Sequence, residues 1–280
     1  MRVQKGLSIV ELMIALLLGS LLTIAATQLF LVNRQTDNLQ MGIAGVQDNG
    51  RFAFDYISRS LMEAGLGEQD PIVPFVLDGT RFRPGTPDDA QIGDGDKYDT
   101  IVYEVIGGKD CLGNALTGYK RFYVLDDADG KRLVCTSFEQ GTTTDEETGA
   151  EVVSWTSDDA GPLVDNVEAF QVLYGLDYDA ISEAGYGAAD LYTNATRVKA
   201  LQSDINSGAV RIVSIRFAVL LASDEKVTLD PEFAIDAIDV LDQQYVQGDV
   251  TEGASVNFED GRLYRTYGST VAIRNLVGGL

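Results

Sequence analysis

The chain has 280 residues, is 45% apolar, carries a net charge of −22 and contains no histidine. Its length admits a membrane anchor plus one sizeable domain, and its apolar content supports a packed core. The acidity argues against direct binding to nucleic acid or anionic lipid; the missing imidazole removes Ser-His-Asp and Cys-His catalysis and every zinc site built on histidine.

The first element is an apolar run from Leu12 to Val32, 21 residues without a charge or a proline. As a helix it would be about 31 Å long, matching a bilayer core of about 30 Å. A cleavable secretory signal has a shorter apolar core of about 7–15 residues, so a retained anchor fits better. Arg2 and Lys5 precede the run and, by the positive-inside rule, keep the N-terminus in the cytoplasm and send the rest of the chain across. Glu11 stands at the head of the run. A carboxylate in a membrane segment costs about 2.5–3.5 kcal/mol even on lenient scales, so it calls for a partner and a purpose.

The stretch Lys5-Gly6 followed by Leu7-Ser8-Ile9-Val10-Glu11-Leu12 resembles the class III signal of type IV prepilins and type II secretion pseudopilins. The resemblance implies that a membrane prepilin peptidase cuts after Gly6 and methylates the new N-terminus at Leu7, where the family usually has phenylalanine. Glu11 then takes the fifth mature position, the family's assembly charge. Its implied partner is the positive amine at Leu7 of an adjacent subunit.

Beyond Val32 the helix is expected to continue. Leu39, Ile43, Val46, Ala53, Ile57, Leu61 and Ala64 recur at spacings of three, four and seven, one apolar stripe on a polar helix. Gly65, Gly67 and Pro71 are stop signals. One helix over about Leu7–Ala64 follows, with Gly42, Gly45 and Gly50 as weak points where it could loosen or break.

After Gly67 the period changes to two. Candidate strands are Ile72–Leu77, Tyr98–Ile106, Tyr119–Leu125, Arg132–Phe138, Val152–Trp155, Val164–Tyr174, Val210–Ala222 and Leu263–Ile273, separated by Gly, Asp, Asn and Thr clusters. In the best of them, over Val210–Leu221, both faces are partly apolar, which suits a central strand between a helix and a further layer. Cys111 and Cys135 are too few for a thiolate metal cage, and their spacing is not that of a redox CxxC pair; a structural disulfide in the exported part is the better reading. Asp127-Ala128-Asp129-Gly130 resembles the middle of a calcium loop, but its first and last ligands are missing, so Asp127 and Asp129 read first as a tight turn. Pairs of carboxylates are expected by chance among so many acids, and no enzyme activity and no cofactor are expected.

Several stretches are similar to minor pilins of the PilW type. They include Gly93–Asp96 before the Tyr98 strand, Asp110–Asn114, Leu133–Cys135, Leu163–Gly175, Val210–Leu221 and Val271–Asn275. The resemblance implies an α+β, pilin-like fold: a long N-terminal helix, transmembrane in its first half, packed on a predominantly antiparallel sheet. It divides the chain into a leader (1–6), a transmembrane and assembly helix (7–32), an amphipathic continuation (33–66) and a β-rich periplasmic or extracellular domain (67–280). It implies a minor pilin in the bacterial inner membrane, then in the pilus, in an initiating complex at the tip. The implied partners are other minor pilins, the major pilin and the prepilin peptidase. A J-type minor pseudopilin of type II secretion and a signal-anchored periplasmic domain are the alternatives.

Overall fold

The computed structural model describes residues 8–65, 74–77, 92–144, 151–158, 161–180, 182–227, 235–248 and 254–276. Helix α1 spans Ile9–Leu61 as one unbroken run of 53 residues, about 80 Å long. The three glycines do not interrupt it. Turn residues follow to Gly65, which sits at φ +77° and supplies the left-handed stop. Gly67 and Pro71 lie outside the described residues.

Eleven of the described strands fall into an antiparallel framework around this helix, and one short strand pairs parallel. A first sheet has the order β1 (Ile101–Lys109), β2 (Ala115–Asp127), β3 (Gly130–Thr144), β4 (Glu151–Asp158), with β5 (Pro162–Asp165) sharing the outer edge of β3. A second sheet has the order β12 (Tyr264–Ala272), β8 (Arg211–Ala222), β6 (Val167–Asp177), β7 (Leu191–Thr193). A third, small sheet comprises β9 (Ala237–Val240), β10 (Gln243–Gln247) and β11 (Ser255–Val256), with β10 and β11 parallel. Two short helices, α2 (Ala195–Ala200) and α3 (Gln202–Asn206), connect β7 to β8.

The second sheet lies between two layers. On one face Val46, Ala53, Ile57 and Leu61 of α1 join Ile215, Phe217 and Val219 of β8 and Val271 of β12 in the main core. On the other, Ala218, Leu220 and Ala222 meet Val240, Tyr245 and Val256 of the small sheet. That is why β6 is buried along its whole length and β8 along nearly all of it, as the two-sided apolar pattern predicts.

Three expectations change. The run Val164–Tyr174 is two strands in different sheets, because Asn166 adopts φ 57° and turns the chain from β5 into β6. Asparagine tolerates this left-handed backbone better than most residues. Tyr98 does not belong to β1; it bridges Phe170 in parallel and so joins the two main sheets. In the Ile72–Leu77 segment, of which Ile72 and Val73 are outside the described residues, Phe75 makes only an isolated bridge to Tyr103.

The helix glycines are sites of close approach. A Cβ on Gly50 would fall 2.5 Å from the Tyr267 ring of β12, and one on Gly42 would fall 3.2 Å from Cγ2 of Val227, whereas one on Gly45 would meet nothing within 4 Å. The same residue type therefore has opposite meanings on two faces of the helix.

Asp99 holds the seam between the sheets. It is buried, and its carboxylate accepts the N–H groups of Gly95 at 2.9 Å and Val172 at 2.7 Å. Burial raises its pKa to about 7, outweighing the lowering by those two N–H groups, with Asp94 and Asp242 adding to the rise.

Gly45→Ala is expected to stabilise the full chain in detergent by about 0.5–1 kcal/mol through helix propensity. Gly50→Ala should destabilise it by about 1–3 kcal/mol, because the Tyr267 ring must leave its seat. Denaturant midpoints check both, and an equal gain at the two sites would contradict the packing. For Asp99 the folded pKa lies above the ordinary carboxylate value. The folded chain therefore keeps a proton that the unfolded chain has lost between about pH 4 and 7, and stability from this group falls as pH rises through that window. Subtracting the melting profile of Asp99→Asn from that of the wild type should leave a difference that declines from pH 4 to 7 and is flat above.

Candidate functional site

The residues singled out at the N-terminus lie on a helix that starts with its own cap. Ser8 has an extended backbone, and its Oγ accepts the Val10 N–H at 3.3 Å, while its carbonyl accepts the Leu12 N–H at 3.1 Å. Glu11 falls in the first turn, where the helix dipole favours a negative charge, and its side chain is exposed. Gly6 and Leu7 lie outside the described residues.

From Ile9 to Val32 every large apolar side chain is exposed. The helix contains an 18-residue window of mean hydropathy 2.4, with none of it buried, so by length and composition it can cross a membrane. Its polar side chains suit that setting. Ser20, Thr23 and Thr27 each donate their hydroxyl to a carbonyl of the preceding turn at 2.8 Å, so these three donors are satisfied within the helix. Arg34, on the turn after Phe30, lies 5.0 Å over its ring.

The lower half of α1 is fastened at three places besides its apolar stripe. The disulfide Cys111–Cys135 ties the β1–β2 turn to β3, with Cα atoms 5.8 Å apart. That turn is rigid: the Asp110 carboxylate accepts the N–H of Leu112 at 2.8 Å, the N–H of Asn114 at 2.7 Å and the Asn114 side-chain amide at 2.9 Å, and the Cys111 N–H donates to Ser137 Oγ at 2.8 Å. Tyr56 of α1 then donates its hydroxyl to the Cys111 carbonyl at 2.9 Å. Second, Lys120 of β2 is almost fully buried and reaches Ser60 Oγ at 3.2 Å and the Glu63 carboxylate at 3.5 Å. Burial lowers its pKa and the Glu63 charge opposes that. Third, the Asn275 side-chain amide donates to the carbonyls of Met62 at 3.1 Å and Ala64 at 3.0 Å, capping the carbonyls left open where the helix ends.

Asp127 and Asp129 form the β2–β3 turn. Asp127 accepts the Asp129 N–H at 2.9 Å and pairs with Arg132 at 2.6 Å, so its carboxylate is occupied by the hairpin itself. Among the described residues another acidic group, Asp177, Asp179 and Asp190, brings three carboxylates within 4.8 Å of one another. Asp177 is fully buried there, taking the Arg211 guanidinium at 2.8 Å and the Gly187 N–H at 2.8 Å. Sequence spacing gave no sign of this group, because Asp190 returns to it only through the 178–190 loop.

A sequence profile described as type IV pilus-assembly protein W matches residues 121–275, and one described as the prokaryotic N-terminal methylation motif matches residues 1–27. Among solved structures, a type IV-like pilin from Thermus thermophilus is similar at 12% identity and a TM-score of 0.34, covering 87% of this chain and 98% of that one. No curated protein matches.

The Tyr56 bond should matter only while the disulfide fixes its acceptor. Tyr56→Phe is expected to cost about 1 kcal/mol, and replacing both cysteines by serine about 3 kcal/mol for a loop of this length. In the cysteine-free background the Tyr56→Phe cost should fall by at least half; full additivity in this double-mutant cycle would show that turn and helix are independent.

Proposed function

The chain belongs to the PilW family of type IV pilus-assembly proteins and acts as a minor pilin, and from that premise we propose that it works in the initiating complex at the pilus tip. In this reading the prepilin peptidase removes Met1–Gly6, the amine of Leu7 is methylated, and the subunit waits in the inner membrane with its sheet domain exported. Other minor pilins, and then the major pilin, pack against its α1. The lines of division are a leader (1–6), an assembly helix (7–32), its docked continuation (33–66) and the exported domain (67–280).

The observation that carries this is Glu11, an exposed carboxylate on the first turn of a helix half that its own domain leaves uncovered. In a lone subunit that carboxylate stays near headgroups and water. In a packed bundle it would be buried, where an unpaired charge costs several kcal/mol. A methylated amine at Leu7 of a neighbour would neutralise it, and that amine exists only after cleavage. Assembly thereby depends on processing, and one axial register is favoured over the others. Because a retained glutamate calls for a partner above it, the subunit is placed just below another pilin in the tip complex. The sheet domain then has the part of a rigid body held at a fixed angle to the assembly helix.

Glu11→Leu is expected to yield normal amounts of membrane-inserted, disulfide-bonded protein that is depleted at least tenfold from sheared pili and from complexes with other minor pilins. A tenfold loss corresponds to about 1.4 kcal/mol, well within what an unpaired buried charge costs. Intact mass checks the processing step in parallel: loss of Met1–Gly6 and gain of one methyl group, both abolished without the peptidase. Incorporation of Glu11→Leu at the wild-type level would remove the assembly role from this residue.

A further inference from the structure

The second sheet ends at β12, a nine-residue strand that pairs with β8 on one side. Among the described residues no backbone group bonds to its other side. We propose that this open edge takes up an extended, acid-bearing segment of a different pilus subunit as an additional strand; the inference rests on the reading of the chain as an assembled minor pilin.

A row of unbonded N–H and C=O groups along a strand is matched by a chain in the extended form, so the edge itself sets the shape of its guest. Two other edges are closed to such a guest. β1 is flanked by residues 74–77, where the Val76 N–H donates to the Val102 carbonyl at 3.0 Å and the Glu104 N–H to the Pro74 carbonyl at 2.7 Å. β7 is only three residues long. β12 has none of the usual protections of an edge. It holds no proline, lysine or acid, and its register with β8 runs from Tyr264↔Ala222 to Ala272↔Ser214 without a bulge. Thr266, Gly268, Thr270 and Ala272 alternate along one face of it and are all exposed, and their small side chains leave room for a neighbouring strand.

Charge selects the composition of the guest. With Arg2, Lys5 and Glu11 set aside, the 21 basic and 43 acidic residues become 19 and 42, yet from Arg262 to Leu280 there are three arginines and no acid. Arg265 near the start of β12 and Arg274 just past its end are exposed and have no ion-pair partner among the described residues. Arg216 of β8 adds a third charge one strand in. Its Nε donates to Thr270 Oγ1 at 3.2 Å, its guanidinium lies 3.9 Å over the Tyr192 ring, and among the described residues it too pairs with no acid. The outer strand of the first sheet, β4, has the opposite character, with Glu151 and Asp158 at its ends and no base. An acidic strand is therefore repelled at β4 and attracted at β12. A second copy of the chain would set the arginines of β12 against themselves.

The test places a photoreactive benzoylphenylalanine at Thr266 of the full-length chain in cells that make the complete set of pilus subunits. Irradiation is expected to give one adduct with a different protein bearing an N-terminal methylation motif, and fragment masses should locate the link in a segment containing Asp or Glu. Arg265→Glu should lower the adduct at least about fivefold, with Arg265→Lys preserving it. Arg265 is exposed and unpaired among the described residues, so neither change threatens the fold. Hydrogen exchange of the complex purified with that partner separates strand addition from a contact of side chains alone. The amides of Tyr264–Ala272 should exchange at least about tenfold more slowly there than in the detergent-solubilised subunit. An adduct of twice the chain's own mass, one with a protein lacking the motif, one indifferent to Arg265→Glu, or unchanged exchange in the complex would overturn the proposal. Absence of any adduct while the chain is present at normal levels in sheared pili would overturn the docking site and leave the minor-pilin reading intact. Absence of the chain from pili would overturn both.

Discussion

The packing of one stripe of α1 against β8 and β12 is the contact on which the remaining geometry depends, since it is the apolar seat that holds the sheet domain against the helix. Ile57 and Leu61 are fully buried in it, and Val46 and Ala53 nearly so. Burial of a side chain such as isoleucine or leucine contributes about 1.5–3 kcal/mol. The stripe works because it alternates these side chains with Gly42 and Gly50, which let Val227 and the Tyr267 ring come against the helix backbone. A helix of larger residues would stand further off and leave Tyr267 nowhere to lie. The cost is lower helix propensity at each glycine, about 1 kcal/mol relative to alanine. A tightly docked sheet more than offsets it.

Around that stripe the polar fastenings act where apolar contact runs out. Lys120 crosses from the first sheet to Ser60 and Glu63, Asn275 returns from the far end of the second sheet to cap the helix, and Tyr56 reads the position of a turn that a disulfide holds. Each comes from a different part of the chain, so both sheets contribute to holding the helix end. From Ile9 to Val32 there are no such contacts among the described residues; apart from Glu11 and Gln28, the helix there has apolar side chains and internally bonded hydroxyls. One element therefore has two unlike halves, the C-terminal one fixed to its own domain and the N-terminal one uncovered.

Much of this was legible in the amino-acid order. The apolar run, Glu11 at its head and the stripe from Leu39 to Ala64 give the helix because a 3.6-residue period is a local property that a single segment carries. The Val210–Ala222 strand, partly apolar on both faces, announced its position between two layers. What could not be read depends on distant partners. Gly50 looks like a weak point unless Tyr267 is known to lie over it. The apolar alternation runs straight through Asn166, so one strand was expected where the chain changes sheets. Leu191–Thr193, Ala237–Val240 and Ser255–Val256 are too short for a period to register, and their pairing is set by the sheets they join. The first-turn position of Glu11 was legible from spacing, but its exposure required the structure.

The central claim is that α1 is a single rigid rod joining an assembly segment to a fixed domain. Double electron–electron resonance tests it most directly, with one spin label at Leu18 in the membrane half and another at Thr270 on the exposed side of β12. The account predicts one narrow distance, the same in detergent-solubilised subunit and in the assembled pilus. A broad or two-peaked distribution, or a distance that changes on assembly, would contradict it.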